Sequence, residues 1–293
     1  MGECASENYY ICPYTDFGFR KLFGTEKNKD LPLSFINSLL QGRENFKSLR
    51  YLDMEQPGTR TVLNVCCEND CGEPVLVELQ LGEYMAFDIQ SLYHASFPIR
   101  EQMRAGKWKA VYVIVILNFT LDMEYEGDFF HEVQLMDRRT NEVFYENLTF
   151  IYLEMPKFNK REDELDGMSD KWMFALRNLD DLTKRPAALQ DKVFDKLFRV
   201  ADTAKLTVEE YRSYEDSLKT YRDWRSVIDT AEHNGWEQGY AEGFEEGREE
   251  GRKQGREEGR RLAKIARQMK ANGASVESIV QATGIPAELI ERI

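Results

Sequence analysis

The sequence predicts an α/β domain followed by an all-helical region and a long glycine-repeat helix. Three observations carry that prediction: a β-hairpin signature in TVLNVCCEND and PVLVELQL, a nearly continuous apolar run from Ala110 to Phe119, and glycines at 235, 239, 243, 247, 251, 255 and 259. Residues 16–41 read as two helical pieces. DFGFRKLFG places Phe19, Leu22 and Phe23 on one side, and in PLSFINSLL Pro32 suits a first turn while Ile36, Leu39 and Leu40 form an apolar stripe. After a polar connection, the β-branched and Cys-rich TVLNVCC reads as a strand, Asn69–Gly72 as a turn and PVLVELQL as the returning strand. Residues 83–105 carry Met85, Ile89, Leu92, Tyr93 and Phe97 at helical spacing, and Pro98 predicts an interruption there. The Ala110–Phe119 run, at strand length, predicts a strand buried on both faces. Segments at 131–136 and 150–155 read as further strands, giving an α-β-β-α-β pattern with additions.

From residue 161 the period becomes helical, over 161–178, 187–204 and 207–234, with Thr207 and Glu210 spaced as a capping box. The tail GWEQGYAEGFEEGREEGRKQGREEG follows. Interior glycines each cost a helix about 1 kcal/mol relative to alanine, so this segment is expected either to lie against a partner helix along its glycine groove or to act as a semi-flexible spacer. A period longer than 3.6 favours right-handed winding of such a pair. Ser275–Thr283 and Pro286–Arg292 predict two short helices split by Gly284, with one cation, Arg292, among Glu277, Glu288 and Glu291. That composition favours apolar docking of the module over reading of DNA. The predicted division is 1–158, 159–234, 235–272 and 273–293.

At 293 residues, 42% hydrophobic and 31% charged, the chain is long enough for one large core or two ordinary ones. No apolar run reaches membrane-spanning length, and MGECASENYY lacks the apolar region of a secretory signal, so a cytoplasmic protein is expected. Five cysteines without CxxC spacing predict reduced thiols used as small core residues rather than a disulfide framework or zinc site. Net charge is −13, and the region 121–235 alone holds 17 Lys/Arg against 26 Asp/Glu. Any contact with DNA must therefore come from a local basic patch that the net charge hides.

One constellation can carry chemistry. Period-two alternation places Glu78 and Gln80 on the same face of the second hairpin strand with Leu79 behind them, and Asn64 on the first strand can oppose them. A carboxylate with polar companions on adjacent strands is one way a sheet offers oxygen ligands to a hard divalent cation. Polar residues on an exposed hairpin face also produce this pattern.

The order DFGFRKLFG, PLSFINSLL, PVLVELQ, MAFDIQSLYHAS, AVYVIVILNF and YLEMPKF, followed by helices and a glycine-repeat tail, resembles the recombination-promoting nuclease family of transposase-related proteins in the PD-(D/E)XK superfamily. The resemblance covers essentially the whole chain. It implies a restriction-endonuclease-like mixed sheet flanked by helices and a DNA endonuclease dependent on Mg²⁺ or Mn²⁺. By position, Asp16 matches the family's first-helix acid, and Glu78 and Gln80 match its ExQ pair. Glu78, Asp16 and the Asn64 position would hold the metal, while Gln80 would orient the attacking water. As an isolated observation, Asp16 also suits a helix N-cap.

The chain departs from that pattern at Asn64, which stands in LNV where the family has Asp in an LDV-like context. An amide offers one oxygen without charge. Removing a unit charge about 4 Å from a divalent ion weakens binding by several kcal/mol even at an effective dielectric near 20. Gln90 replaces an Arg, the GKWKA stretch at 106–110 is shortened, and His94 takes the place of an aromatic. On a helix surface His94 would be solvated or could donate to phosphate. Two functions follow as expectations: a metal-dependent DNA endonuclease impaired by Asn64, or a non-catalytic DNA-binding or assembly protein that keeps the fold and forms homo-oligomers through its tail.

Overall fold

The computed structural model describes residues 9–40, 46–52, 62–81, 87–121 and 128–292. The chain forms two compact units, residues 1–224 and 225–293. In the first, helix α1 (Asp16–Phe23) is capped by Thr15, whose hydroxyl accepts from the Gly18 amide, so Asp16 is the first helical residue rather than the cap. Helix α2 (Asp30–Leu39) follows, with Leu31, Phe35, Ile36 and Leu39 buried.

Six strands then build one sheet in the order β1-β2-β3-β4-β6-β5. β2 (Val62–Asn69) and β3 (Pro74–Gln80) are the predicted hairpin. Gly72, at φ +81°, makes the turn a conformation that side-chain-bearing residues resist. β4 (Val111–Leu117) runs parallel to β3 and to β6 (Glu142–Glu154), and every residue of β4 is buried, as expected of a parallel central strand covered on both faces. β5 (Phe130–Asp137) closes one edge antiparallel to β6, and β1 (Leu49–Tyr51) closes the other. β1 lies where the sequence suggested only a polar connection. Three residues are too few to show alternation, and the strand exists because Leu49 and Tyr51 pack into the core beside β2.

The sheet is covered unequally. One face carries α1, α2, α4 (Gly167–Asn178), α5 (Lys192–Ala201) and the start of α6 (Val208–Ala271) around a large core containing Phe23, Phe35, Trp172, Phe194 and Tyr214. The other face carries α3 (Phe87–Ala105), over a smaller core of Cys66, Leu76, Ala95, Val113, Val115 and Phe150. Two expectations for α3 are corrected. The helix continues through Pro98, held by the burial of Ala95 and Phe97 although proline removes a backbone donor. Its buried side is Ser91, His94, Ala95 and Phe97, while Ile89, Leu92 and Tyr93 face solvent. The expected start at 83 and Met85 lie outside the described residues.

The Thr207–Glu210 capping box forms: the Thr207 amide donates to Glu210 Oε2 at 3.0 Å and the Glu210 amide to Thr207 Oγ1 at 3.2 Å. α6 then continues unbroken to Ala271, so the expected change of character at 234/235 falls inside one helix. In the second unit, α7 (Val276–Thr283) is capped by Ser275 and ends at Gly284, which is left-handed at φ 68°. α8 (Ala287–Glu291) follows, and Ile279 and Ile290 pack on Ala266 of α6. Lys270 Nζ donates to the Ile290 carbonyl at 3.0 Å, satisfying one exposed end of α8. No helix among the described residues is long and apolar enough to cross a membrane.

Candidate nuclease-fold site

The β2–β3 register puts Asn64 directly opposite Glu78. Val75, Val77 and Leu79 point into the large core and Leu76 into the smaller one, so alternation sends Glu78 and Gln80 toward α3. Asn64 and Cys66 share that face because Val65 and Cys67 occupy the other. The hairpin thus brings three of the four sequence-derived positions together. Asp16 is placed differently. Its helix packs on the opposite face, through Phe19, Leu22 and Phe23, and its exposed carboxylate accepts from Arg20 Nε at 2.7 Å.

Glu78 has no solvent exposure, and Gln80 is 1% exposed. α3 closes over them with Ser91, which is also fully buried, and His94, which is 2% exposed. His94 Nδ1 lies 2.7 Å from Glu78 Oε1. The two atoms are in contact without the alignment of a hydrogen bond, so each is buried with no hydrogen-bond partner. On the other oxygen, Gln80 Nε2 and Ser91 Oγ donate to Oε2 at 3.3 and 3.4 Å, and Gln80 Nε2 also donates to Ser91 Oγ at 2.9 Å. One oxygen of the carboxylate is thus hydrogen-bonded and the other is buried without a hydrogen bond.

His94 corrects the surface reading of that residue. The sequence signal for this placement is the pair Ser91 and His94, three apart in a helix and hence on one face. A second buried acid also escaped the sequence reading. Glu154 ends β6 with no exposure, its Oε1 contacted by His131 Nε2 at 2.6 Å and Lys157 Nζ at 2.9 Å, and its Oε2 accepting from the Leu121 amide at 2.7 Å. Across β3, β4 and β6 the register aligns Gln80, Leu117 and Glu154 in one row, so both carboxylates share a sheet face. With both oxygens engaged, Glu154 reads as an anchor for β5 and the segment after β6.

The family model for PD-(D/E)XK nuclease family transposases matches residues 13–231, which spans the sheet, both helical layers and the start of α6. The chain belongs to that family. No curated protein and no solved structure gives a match. The match agrees with the resemblance drawn from the sequence motifs, and the six-stranded mixed sheet with flanking helices agrees with the restriction-endonuclease-like fold it implied.

PD-(D/E)XK nucleases generally use divalent metals, and this donor set does not fit one. Mg²⁺ and Mn²⁺ need converging oxygen acceptors, usually with at least one carboxylate free to coordinate. Here Asn64 supplies an amide, Glu78 Oε2 accepts from Gln80 and Ser91 while Oε1 is closed off by His94 Nδ1 at 2.7 Å, and no group of three or more His, Cys, Asp or Glu side chains converges among the described residues. Glu68 and Asp70, two further acids of the hairpin, are occupied elsewhere. Glu68 pairs with Arg50 at 2.8 Å, and Asp70 accepts from the Lys47 amide at 2.9 Å, which holds its carboxyl below the ordinary value.

Proposed function

We propose that this chain is a DNA-associating, self-assembling member of the nuclease and transposase family that keeps the fold without hydrolysing phosphodiesters. The carrying observation is the enclosed Glu78, opposed by Asn64 where a second acid would stand and locked by His94, Gln80 and Ser91. What these residues do is hold α3 onto the β2–β3 hairpin. His94 Nδ1 packs against Glu78 Oε1, and Ser91 and Gln80 donate to the other oxygen.

Support for DNA contact comes from family membership and from the local basic patch that the overall charge required. The end of α3 and the following segment present Arg100, Arg104, Lys107 and Lys109, with Glu101 as the intervening acid, around an exposed Trp108. Arginine and lysine neutralise phosphates, and an exposed indole gives an unpaired base a surface on which to stack. The setting is mobile or recombining DNA in the cytoplasm, with homo-oligomers formed through the C-terminal tail.

Supercoiled plasmid incubated with the protein and Mg²⁺ or Mn²⁺ tests the reading. Wild type is expected to nick no faster than Glu78→Ala, and nicking by wild type that Glu78→Ala abolishes would overturn it. In the same assay Asn64→Asp, which returns the second acid, is the substitution expected to gain metal-dependent nicking. Fluorescence anisotropy with single-stranded and duplex oligonucleotides reads the patch. Replacing Arg104, Lys107 and Lys109 by alanine should weaken binding and lower its salt slope by about 2 to 3.

A further inference from the structure

The α6 segment from Gly235 to Arg260 carries three parallel rows at four-residue spacing, and every described side chain in it faces solvent. The middle row is glycine, and at each of the seven a methyl group would meet open space. The row one residue later reads Trp236, Tyr240, Phe244, Arg248, Arg252, Arg256 and Arg260; the row one residue earlier reads Gln238, Glu242, Glu246, Glu250, Gln254 and Glu258. The glycine seam thus has aromatic and cationic side chains on one flank and anionic or amide side chains on the other. Trp236, Tyr240 and Phe244 are 65%, 63% and 62% exposed and stack only on one another, with ring centroids 5.4 and 6.4 Å apart. Such a ladder of large apolar surface in water marks an interaction face.

We infer that this face pairs with the same face of a second copy, in parallel and in register. The inference rests on the self-association part of the proposed function and is independent of whether the nuclease site is active. Charge decides both the occupant and its direction. When two identical helices pair about an axis along their length, opposite flanks meet, as the g and e positions do in a parallel coiled coil. The arginine row of each copy then faces the glutamate row of the other. Pairing about a perpendicular axis brings like flanks together: it sets Arg248 against Arg248 and Glu246 against Glu250, which repel, and leaves Arg252, Arg256 and Arg260 of each copy against the aromatic residues of the other instead of against glutamate.

The winding is consistent with continuous contact. Four residues turn a helix by about 400° and rise about 6 Å, so the seam drifts about 40° per repeat and closes one right-handed turn in about 54 Å. Two helices following that seam at an axial separation of about 6 to 7 Å cross at about 40°, the right-handed angle of close GxxxG pairs. Ordinary side chains keep helices 8–10 Å apart, and an unbroken glycine row allows the closer approach. Burying the aromatic ladder and the seam offsets the intrinsic cost of seven glycines, which a lone solvated helix does not recover.

The experiment uses the full chain with Cys4→Ser and Cys71→Ser and one spin label at a time at Glu237, Glu249 or Glu257, all in the row facing away from the seam. Light scattering gives the mass, and pulsed electron resonance gives the distance between copies. A dimer with nearly equal distances at the three positions is expected. A dimer whose distances differ, short near one position and lengthening by about 3 Å per residue away from it, is antiparallel and overturns the inference while sparing self-association. A monomer overturns both. A second pair of variants guards against a change that merely damages the helix. Gly247→Ala with Gly255→Ala should raise helicity, because the added methyls meet no atom within one copy, yet weaken dimerisation about tenfold or more. Stronger or unchanged dimerisation would reject the seam.

Discussion

Glu78 and His94 form the contact on which the functional reading turns, and it has a measurable energy. Removing His94 leaves a buried carboxylate facing a cavity, and breaking one side of a buried pair typically costs about 3 to 5 kcal/mol. His94→Ala is therefore expected to lower the unfolding free energy measured in urea by an amount in that range. Adding Glu78→Gln should recover part of the loss, because an amide needs no counter-charge, and a double-mutant cycle reads the coupling directly. If the two losses simply add, the contact carries no coupling and the site is not locked. The sequence exposed Glu78 and Gln80 through period-two alternation, and Asn64 through the length of the hairpin. It could not expose the burial of His94, because a single polar residue on an amphipathic helix is ordinarily solvated and only the tertiary placement of α3 decides which side is covered.

At the scale of elements, the parts legible beforehand were those whose pattern is local: the hairpin turn at Gly72, the apolar β4 and the capping box at Thr207. The parts that were not legible depend on neighbours. β1 is too short to show a pattern, α3 survives Pro98 because the sheet holds it, and the first turns of α6 look like any amphipathic helix while serving as a wall of the large core. There Tyr214 Oη accepts from the Cys12 amide at 3.1 Å and Ser217 Oγ accepts from the Phe17 amide at 3.0 Å, tying α6 to the segment that opens α1. Tyr214→Phe should cost about 1 to 3 kcal/mol in thermal or urea unfolding, the usual loss when a buried amide is left without its acceptor. A chain ending at Asn234 is expected to keep the cooperative melt of the first unit, whereas one ending at Leu206 should lose it, because Tyr214 and Leu218 are part of that core.

For the molecule as a whole, acid stability follows from ion pairs that tie distant segments. The Lys21 ammonium, helped by the Thr207 amide, holds the Glu210 carboxyl below its ordinary value, and Lys171 does the same for Asp191. Carboxyls depressed in the folded state bind fewer protons there than in the unfolded chain. Their contribution is complete above the ordinary carboxylate values and is lost as pH falls through the lower folded ones. The melting temperature should therefore hold between about pH 7 and 5 with respect to these groups and fall below about pH 4. Lys21→Met should flatten part of that fall while changing stability at pH 7 by less than about 1 kcal/mol, since the pair is partly exposed. The consecutive cysteines of β2 extend the same logic to motion. Cys66 faces the layer made by α3 and Cys67 the layer made by the other helices, and burial raises both thiols, Cys67 to about 12. Neither can be alkylated until its own layer lifts, so one strand carries two clocks, one for each side of the sheet. Peptide mapping after timed alkylation should find Cys66 modified first, because a single helix guards it, and equal rates would mean that the two layers open only together.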